Sequence, residues 1–291
     1  MLGTLNSATT SPSVSITQTA VVAIETSKPA YNSIAVIPVH CSKPQLALRV
    51  GLDANQPDDR IFEVELLNTF VIDSVATGEE RTIHEFAVAY APFSFWKTAI
   101  AFEMANVADE GFEFEAVELE NVFLLYSGHG HDDHGHDHDH GHGSFFELGA
   151  LGFYLGAEIP REGGISNGGI EFGPIAEFSF GPVETVANLI VEVPFEDNVD
   201  PGLGYALSMA VPVFESDAVE LAAGFEAHGG VEEVFGNGTP LGQNSHVVGP
   251  AIYTEFDVGN GRSIEPRLAV LFGMTDASPD AVASFNIELK Y

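Results

Sequence analysis

Ala281-Val282-Ala283-Ser284-Phe285-Asn286-Ile287-Glu288-Leu289-Lys290-Tyr291 closes the chain, and its alternation decides the fold. In a strand, successive side chains point to opposite faces. Ala281, Ala283, Phe285, Ile287, Leu289 and Tyr291 therefore share one face, and Val282, Ser284, Asn286, Glu288 and Lys290 share the other. The first face is wholly apolar; the second is polar after Val282. A strand wetted by lipid outside and by water inside reads this way, which is the pattern of a transmembrane β-barrel.

The same texture extends upstream. Twelve strand-length pieces can be drawn at 61–70, 82–91, 95–104, 112–126, 145–159, 169–180, 184–194, 203–213, 218–228, 245–257, 262–273 and 281–291. Phe62, Val64 and Leu66 oppose Glu63 and Glu65. Phe172, Ala176, Phe178 and Phe180 oppose Glu171, Glu177 and Ser179. Val219, Leu221, Ala223, Phe225 and Ala227 oppose Glu220, Glu226 and His228. In 112–126 the phase slips, since Phe112 and Phe114 are out of step with Val117 and Leu119, and a β-bulge is the expected cause. Pieces of about ten residues match the ~9–11 that cross a bilayer when tilted. Counted back from the C-terminus, the links alternate between longer and shorter, as the external loops and periplasmic turns of outer-membrane barrels do. The expected fold is thus all-β, an antiparallel up-and-down transmembrane barrel of about 12 strands, with ten or fourteen as neighbouring solutions. It spans 61–291, behind an irregular segment at 1–60 with an isolated strand expected near Leu46–Leu52.

Composition bounds the function. The 291 residues carry 43 acidic and 10 basic side chains, a net charge of −33. Nucleic acid is excluded as a partner, because binding it requires a basic face to neutralise phosphates. No apolar run reaches the ~18 residues of a membrane helix. A single cysteine, Cys41, forbids an internal disulfide. The first basic residue is Lys28 and the best early apolar stretch is Ala20–Ile24, so no signal peptide is evident in the sequence. No nucleophile elbow, zinc-protease or phosphate-loop motif is present, and no enzyme is expected.

Gly249-Pro250-Ala251-Ile252-Tyr253 and Leu271-Phe272-Gly273-Met274-Thr275-Asp276-Ala277-Ser278-Pro279-Asp280 carry a resemblance. So do His84-Glu85-Phe86 with Tyr90, Ala116-Val117-Glu118-Leu119-Glu120-Asn121, Gly173-Pro174 and Gly181-Pro182. Together they resemble, over roughly 80–291, a family of uncharacterised or putative-transporter barrels of the Gram-negative outer membrane. The resemblance implies outer-membrane lipid as surroundings and an association with heavy-metal efflux systems. It supplies no catalytic residues.

One segment stands apart from the strands. Between 127 and 144, His129, His131, His134, His136, His138, His140 and His142 are interleaved with Asp132, Asp133, Asp137 and Asp139. Imidazole and carboxylate are ligands for Zn²⁺, Cu²⁺ and Ni²⁺, and the glycines let the tract wrap an ion. Binding is expected to be weak and to collapse below pH ~6, where imidazole becomes protonated. Strand counting puts the tract on the same side as Tyr291, hence periplasmic if that terminus is periplasmic. In the barrel, Glu63, Glu65, Glu171, Glu177, Glu220, Glu226 and Glu288 are expected to line an acidic lumen that passes divalent cations. The alternative is a soluble, acidic all-β metal-binding protein whose apolar faces pack as a sandwich core.

Overall fold

The computed structural model describes residues 62–72, 81–107, 111–128, 146–161, 164–196, 199–231 and 244–291. They form twelve antiparallel strands: β1 (Phe62–Ile72), β2 (Arg81–Phe93), β3 (Trp96–Val107), β4 (Gly111–Ser127), β5 (Phe146–Pro160), β6 (Gly169–Phe180), β7 (Val183–Pro194), β8 (Gly202–Glu215), β9 (Val219–Val231), β10 (His246–Asp257), β11 (Ser263–Gly273) and β12 (Ala281–Lys290). Each strand pairs with its sequence neighbours, and β1 pairs with β12 to close the barrel. The closing seam runs from Glu63 opposite Lys290 to Ile72 opposite Ala281. Tyr291 completes it, donating its N–H to the Phe62 carbonyl at 2.9 Å and accepting from the Phe62 N–H at 3.2 Å. Closure leaves no unpaired edge, which is the condition for strands to cross a bilayer.

The apolar faces point outward. Along β12, Phe285 is exposed while Val282, Asn286 and Glu288 are buried, and along β1 Phe62, Leu66 and Phe70 are exposed while Glu63, Leu67, Thr69 and Val71 are buried. A water-soluble sandwich would bury those apolar faces between two sheets. Here one sheet closes on itself and the greasy side is outermost, so the sandwich alternative is overturned. The protein is an outer-membrane-type β-barrel. Aromatic side chains gather near the strand ends: Phe93, Trp96 and Phe123 stack in sequence at 6.1 and 6.2 Å, and Phe146 packs on Phe180 at 5.2 Å. Trp96 anchors its indole N–H on Asn121 Oδ1 at 3.1 Å. Such amphipathic rings suit the membrane–water boundary.

The phase slip in β4 is a bulge. Met104 lies opposite Phe114 and Glu103 opposite Ala116, so Glu115 is the extra residue. It turns both Phe112 and Phe114, before it, and Val117 and Leu119, after it, to the outside.

Four tight connections lie at the end where the barrel begins and finishes. Residues 94–95, 181–182 and 216–218 are short turns, and 258–262 closes through Val258 N–H to Arg262 O at 3.0 Å. That last turn holds Gly259, Asn260 and Gly261 at φ 81, 61 and 69°, a left-handed run that two glycines and an asparagine can adopt. The connection from Ser127 to Phe146, which carries the histidine tract, starts and ends at this same end. The tract itself, like the segment expected to be irregular at 1–60, lies outside the described residues.

Candidate functional site

Inside a barrel, side chains at alternate positions converge on one space, so the inner wall is where this chain can do chemistry. The structure places Glu63, Glu65, Glu171, Glu177, Glu220, Glu226 and Glu288 on the inward side of their strands. Glu63, Glu171, Glu226 and Glu288 are buried, and Glu65, Glu177 and Glu220 are half-buried. Glu85, Glu103, Glu118 and Glu120 join them as buried inward groups that the sequence reading missed. Their signal was the same alternation, but in β2 and β3 the inward row is mostly alanine, and a lone glutamate among alanines does not announce itself.

The wall is not uniformly acidic. Val247, Ala251, Ala269, Leu271 and Val282 form one inward apolar patch. Val122, Ala150, Tyr154, Ile175, Val186, Ile190 and Ala206 form another. Among the described residues three cations also face inward, Lys97, Arg267 and Lys290, each against a glutamate.

These groups assemble into three polar nodes. In the first, Glu226 of β9 takes four donors. Arg267 of β11 grips it with two nitrogens, Nε at 2.6 Å to Oε1 and Nη2 to Oε2. The Tyr253 hydroxyl of β10 donates to Oε1 at 2.6 Å, and His228 Nε2 lies 3.1 Å from Oε2. A carboxylate so enclosed is held as a charge, since burying it bare would cost several kcal/mol. In the second node, Tyr154 of β5 sends its hydroxyl between Glu120 of β4, at 3.4 Å, and Glu171 of β6, at 3.5 Å. Its ring crosses Gly156, where a Cβ would stand 2.5 Å from the phenol oxygen. The third node occupies the β11–β12–β1 wall. Lys97 reaches from β3 to Glu63, Lys290 bonds Glu265 at 2.6 Å, and Asn286 donates to Glu65 at 2.7 Å.

His228 and His246, which flank the connection after β9, do not meet. His228 faces inward to Glu226, whereas His246 sits outward and stacks on Tyr205, with Nδ1 3.0 Å from the hydroxyl. Gly229 lies between those two rings, and a Cβ there would strike both.

Among the described residues no three His, Cys, Asp or Glu side chains converge as a metal centre. The eleven His and Asp residues expected to gather metal, His129 to His142, lie outside the described residues.

No protein-family description matches the sequence, and no curated protein does. Likeness is found among solved structures. An outer-membrane channel from Pseudomonas putida aligns over 79% of this chain and 94% of its own, at 10% identity and a TM-score of 0.51. The β domain of a Bordetella autotransporter covers 80% of this chain and 98% of its own at 11% identity, with a TM-score of 0.47. The translocator domain of the autotransporter NalP from Neisseria meningitidis covers 87% and 97% at 11% identity, with a TM-score of 0.41. The first of these likenesses carries the fold: an outer-membrane β-barrel.

Proposed function

We propose that the chain is a passive, non-enzymatic pore of the bacterial outer membrane that favours cations, with its histidine tract gathering divalent metal beside the pore. One observation carries the reading: among the described residues the inward wall sets three cations, each already gripped by a glutamate (Glu63, Glu226 and Glu265), against a large surplus of buried and half-buried glutamates. Charge of one sign on the walls of a narrow passage concentrates the opposite ion and excludes its own kind. The tract joins strands at the end that carries the barrel's two termini. With those termini periplasmic, it meets Zn²⁺, Cu²⁺ or Ni²⁺ on the cell side, which suits service to a heavy-metal efflux system.

Reconstitution in a planar bilayer under a KCl gradient tests the first half. A reversal potential of the sign for K⁺ permeation is expected, and a chloride-selective or absent current would refute the pore. Deleting residues 128–143 tests the second half. The deletion variant is expected to keep its conductance while losing Zn²⁺ uptake and metal tolerance in cells. Unchanged tolerance would reduce the tract to a solvated insertion.

A further inference from the structure

Where β11, β12 and β1 meet, Glu265, Glu288 and Glu65 stand side by side in one row of the inner wall. Directly opposed residues on neighbouring antiparallel strands hold their Cβ atoms about 4.5–5.5 Å apart, so the three carboxylates lie in one another's field. The next row toward the chain ends is Ser263, Lys290 and Glu63. Two ammonium groups serve the patch, and each is engaged: Lys97 on Glu63, and Lys290 on Glu265. Glu288 is left over. It is 1% exposed, and neither of its oxygens has a hydrogen-bond partner. Lys97 and Lys290 attract its charge from a distance, and Glu63 and Glu65 repel it.

A second observation comes from a neutral side chain. Asn286 is 3% exposed, and its Nδ2 donates to Glu65 Oε1 at 2.7 Å. That bond holds the amide against the row, yet Oδ1 has no partner. Glu63 Oε1 has none either. The unmet atoms of this patch are all oxygen acceptors, and no unmet donor faces them. Leaving them so would cost the desolvation of each. What the patch lacks is positive charge of roughly an ion's size.

We propose that this patch binds one hard divalent cation of the Mg²⁺/Ca²⁺ class, with Glu288 as its main ligand and the two other unmet acceptors, Asn286 Oδ1 and Glu63 Oε1, beside it. An all-oxygen donor set with no imidazole or thiolate selects hard cations over Zn²⁺, Cu²⁺ or Ni²⁺. The described side chains form no closed cage of three acidic or imidazole ligands. That fits an ion that keeps several waters and is held by one or two carboxylates, as Mg²⁺ usually is. The inference rests on the cation-pore reading for the ion's access, and it divides the metal chemistry of the chain in two: borderline metals for the histidine tract, hard ions for the wall.

Isothermal titration of chelator-treated full-length protein in detergent with MgCl₂ or CaCl₂ alone tests it. Wild type is expected to show one saturable site. Glu288→Gln is expected to weaken it at least tenfold, Asn286→Leu several-fold, and neither to alter ZnCl₂ binding. Heat-modifiable mobility on an SDS gel verifies that each variant is folded. Should Glu288→Gln not fold, Glu288→Asp serves, keeping the charge but shortening the arm, with weakened binding expected. No saturable site in wild type, or undiminished binding in Glu288→Gln, overturns the proposal. So does a Glu288→Gln barrel that melts higher than an ion-indifferent wild type, which would make Glu288 a protonated acid. Bilayer current on the same preparation separates the two ideas: binding without current keeps the ion site and removes the pore, and current without binding does the reverse.

Discussion

Replacing Arg267 by methionine isolates the buried ion pair that encloses Glu226. Arg267 is 5% exposed and Glu226 1%, and the guanidinium supplies two of the four donors that enclose the carboxylate. Methionine fills much of the arginine stem and offers no donor. Removing one partner of a buried pair costs about 3–5 kcal/mol, because the survivor remains as an uncompensated charge. Tyr253 and His228 still donate to Glu226, so the loss belongs at the lower end, ~3 kcal/mol, or roughly a hundredfold in the unfolding equilibrium. The double variant Arg267→Met/Glu226→Gln removes both charges, and the amide oxygen it introduces would still accept from Tyr253. Its stability is expected within ~1 kcal/mol of wild type, since exchanging a buried ion pair for neutral groups is often close to neutral. Urea unfolding in lipid vesicles, followed by the fluorescence of the sole tryptophan, Trp96, reads all members of the cycle. If Arg267→Met costs less than ~1 kcal/mol, or the double variant is as unstable as the sum of the singles, Glu226 is not held by Arg267 as the geometry implies.

Three further outcomes are expected. Gly156→Ala would bring a Cβ to 2.5 Å from the buried Tyr154 hydroxyl and 2.9 Å from Cζ, so a loss of about 1–3 kcal/mol is expected, partly rescued by adding Tyr154→Phe; equal losses with and without that rescue would contradict the placement. Leu268→Arg, outward at the middle of β11, is expected to cost ~2–4 kcal/mol in vesicles, whereas Phe62→Arg at a strand end should cost no more than ~1 kcal/mol; a reversed order would mean that the lipid belt is misplaced. Zn²⁺ binding by the full chain is expected to fall as pH drops through about 6.5, because imidazole binds metal only when neutral; pH-independent binding between about 5 and 8 would assign the metal to carboxylates instead.

The twelve strands were legible because a barrel wall has only two surroundings, and each strand end is marked by turn chemistry. β12 could be read to the residue: Phe285 and Ile287 outside, Asn286 and Glu288 inside. β4 was legible only with a bulge allowed for, because one bulged residue at Glu115 shifts the phase, and a shifted phase imitates the absence of a strand. Tyr154 was missed for a related reason. A register shift between Leu148 and Ala150 breaks the alternation of β5 just before the tyrosine.

Period-two patterning tells which way a side chain points but not whom it meets. Asn286 and Glu65 are separated by 221 residues and become partners only when β12 closes on β1; Arg267 and Glu226 are separated by 41 and meet across the intervening β10. Seven inward glutamates could be named from alternation alone, yet nothing in the sequence distinguished Glu226, enclosed by four donors, from Glu288, enclosed by none. That difference is set by the stagger between strands. It follows that a chain with the same alternation and a closure shifted by two residues would keep its lipid face intact and lose every polar contact that crosses its seam. The outer surface of such a barrel is specified residue by residue through polarity, and the inner chemistry is specified collectively, through closure.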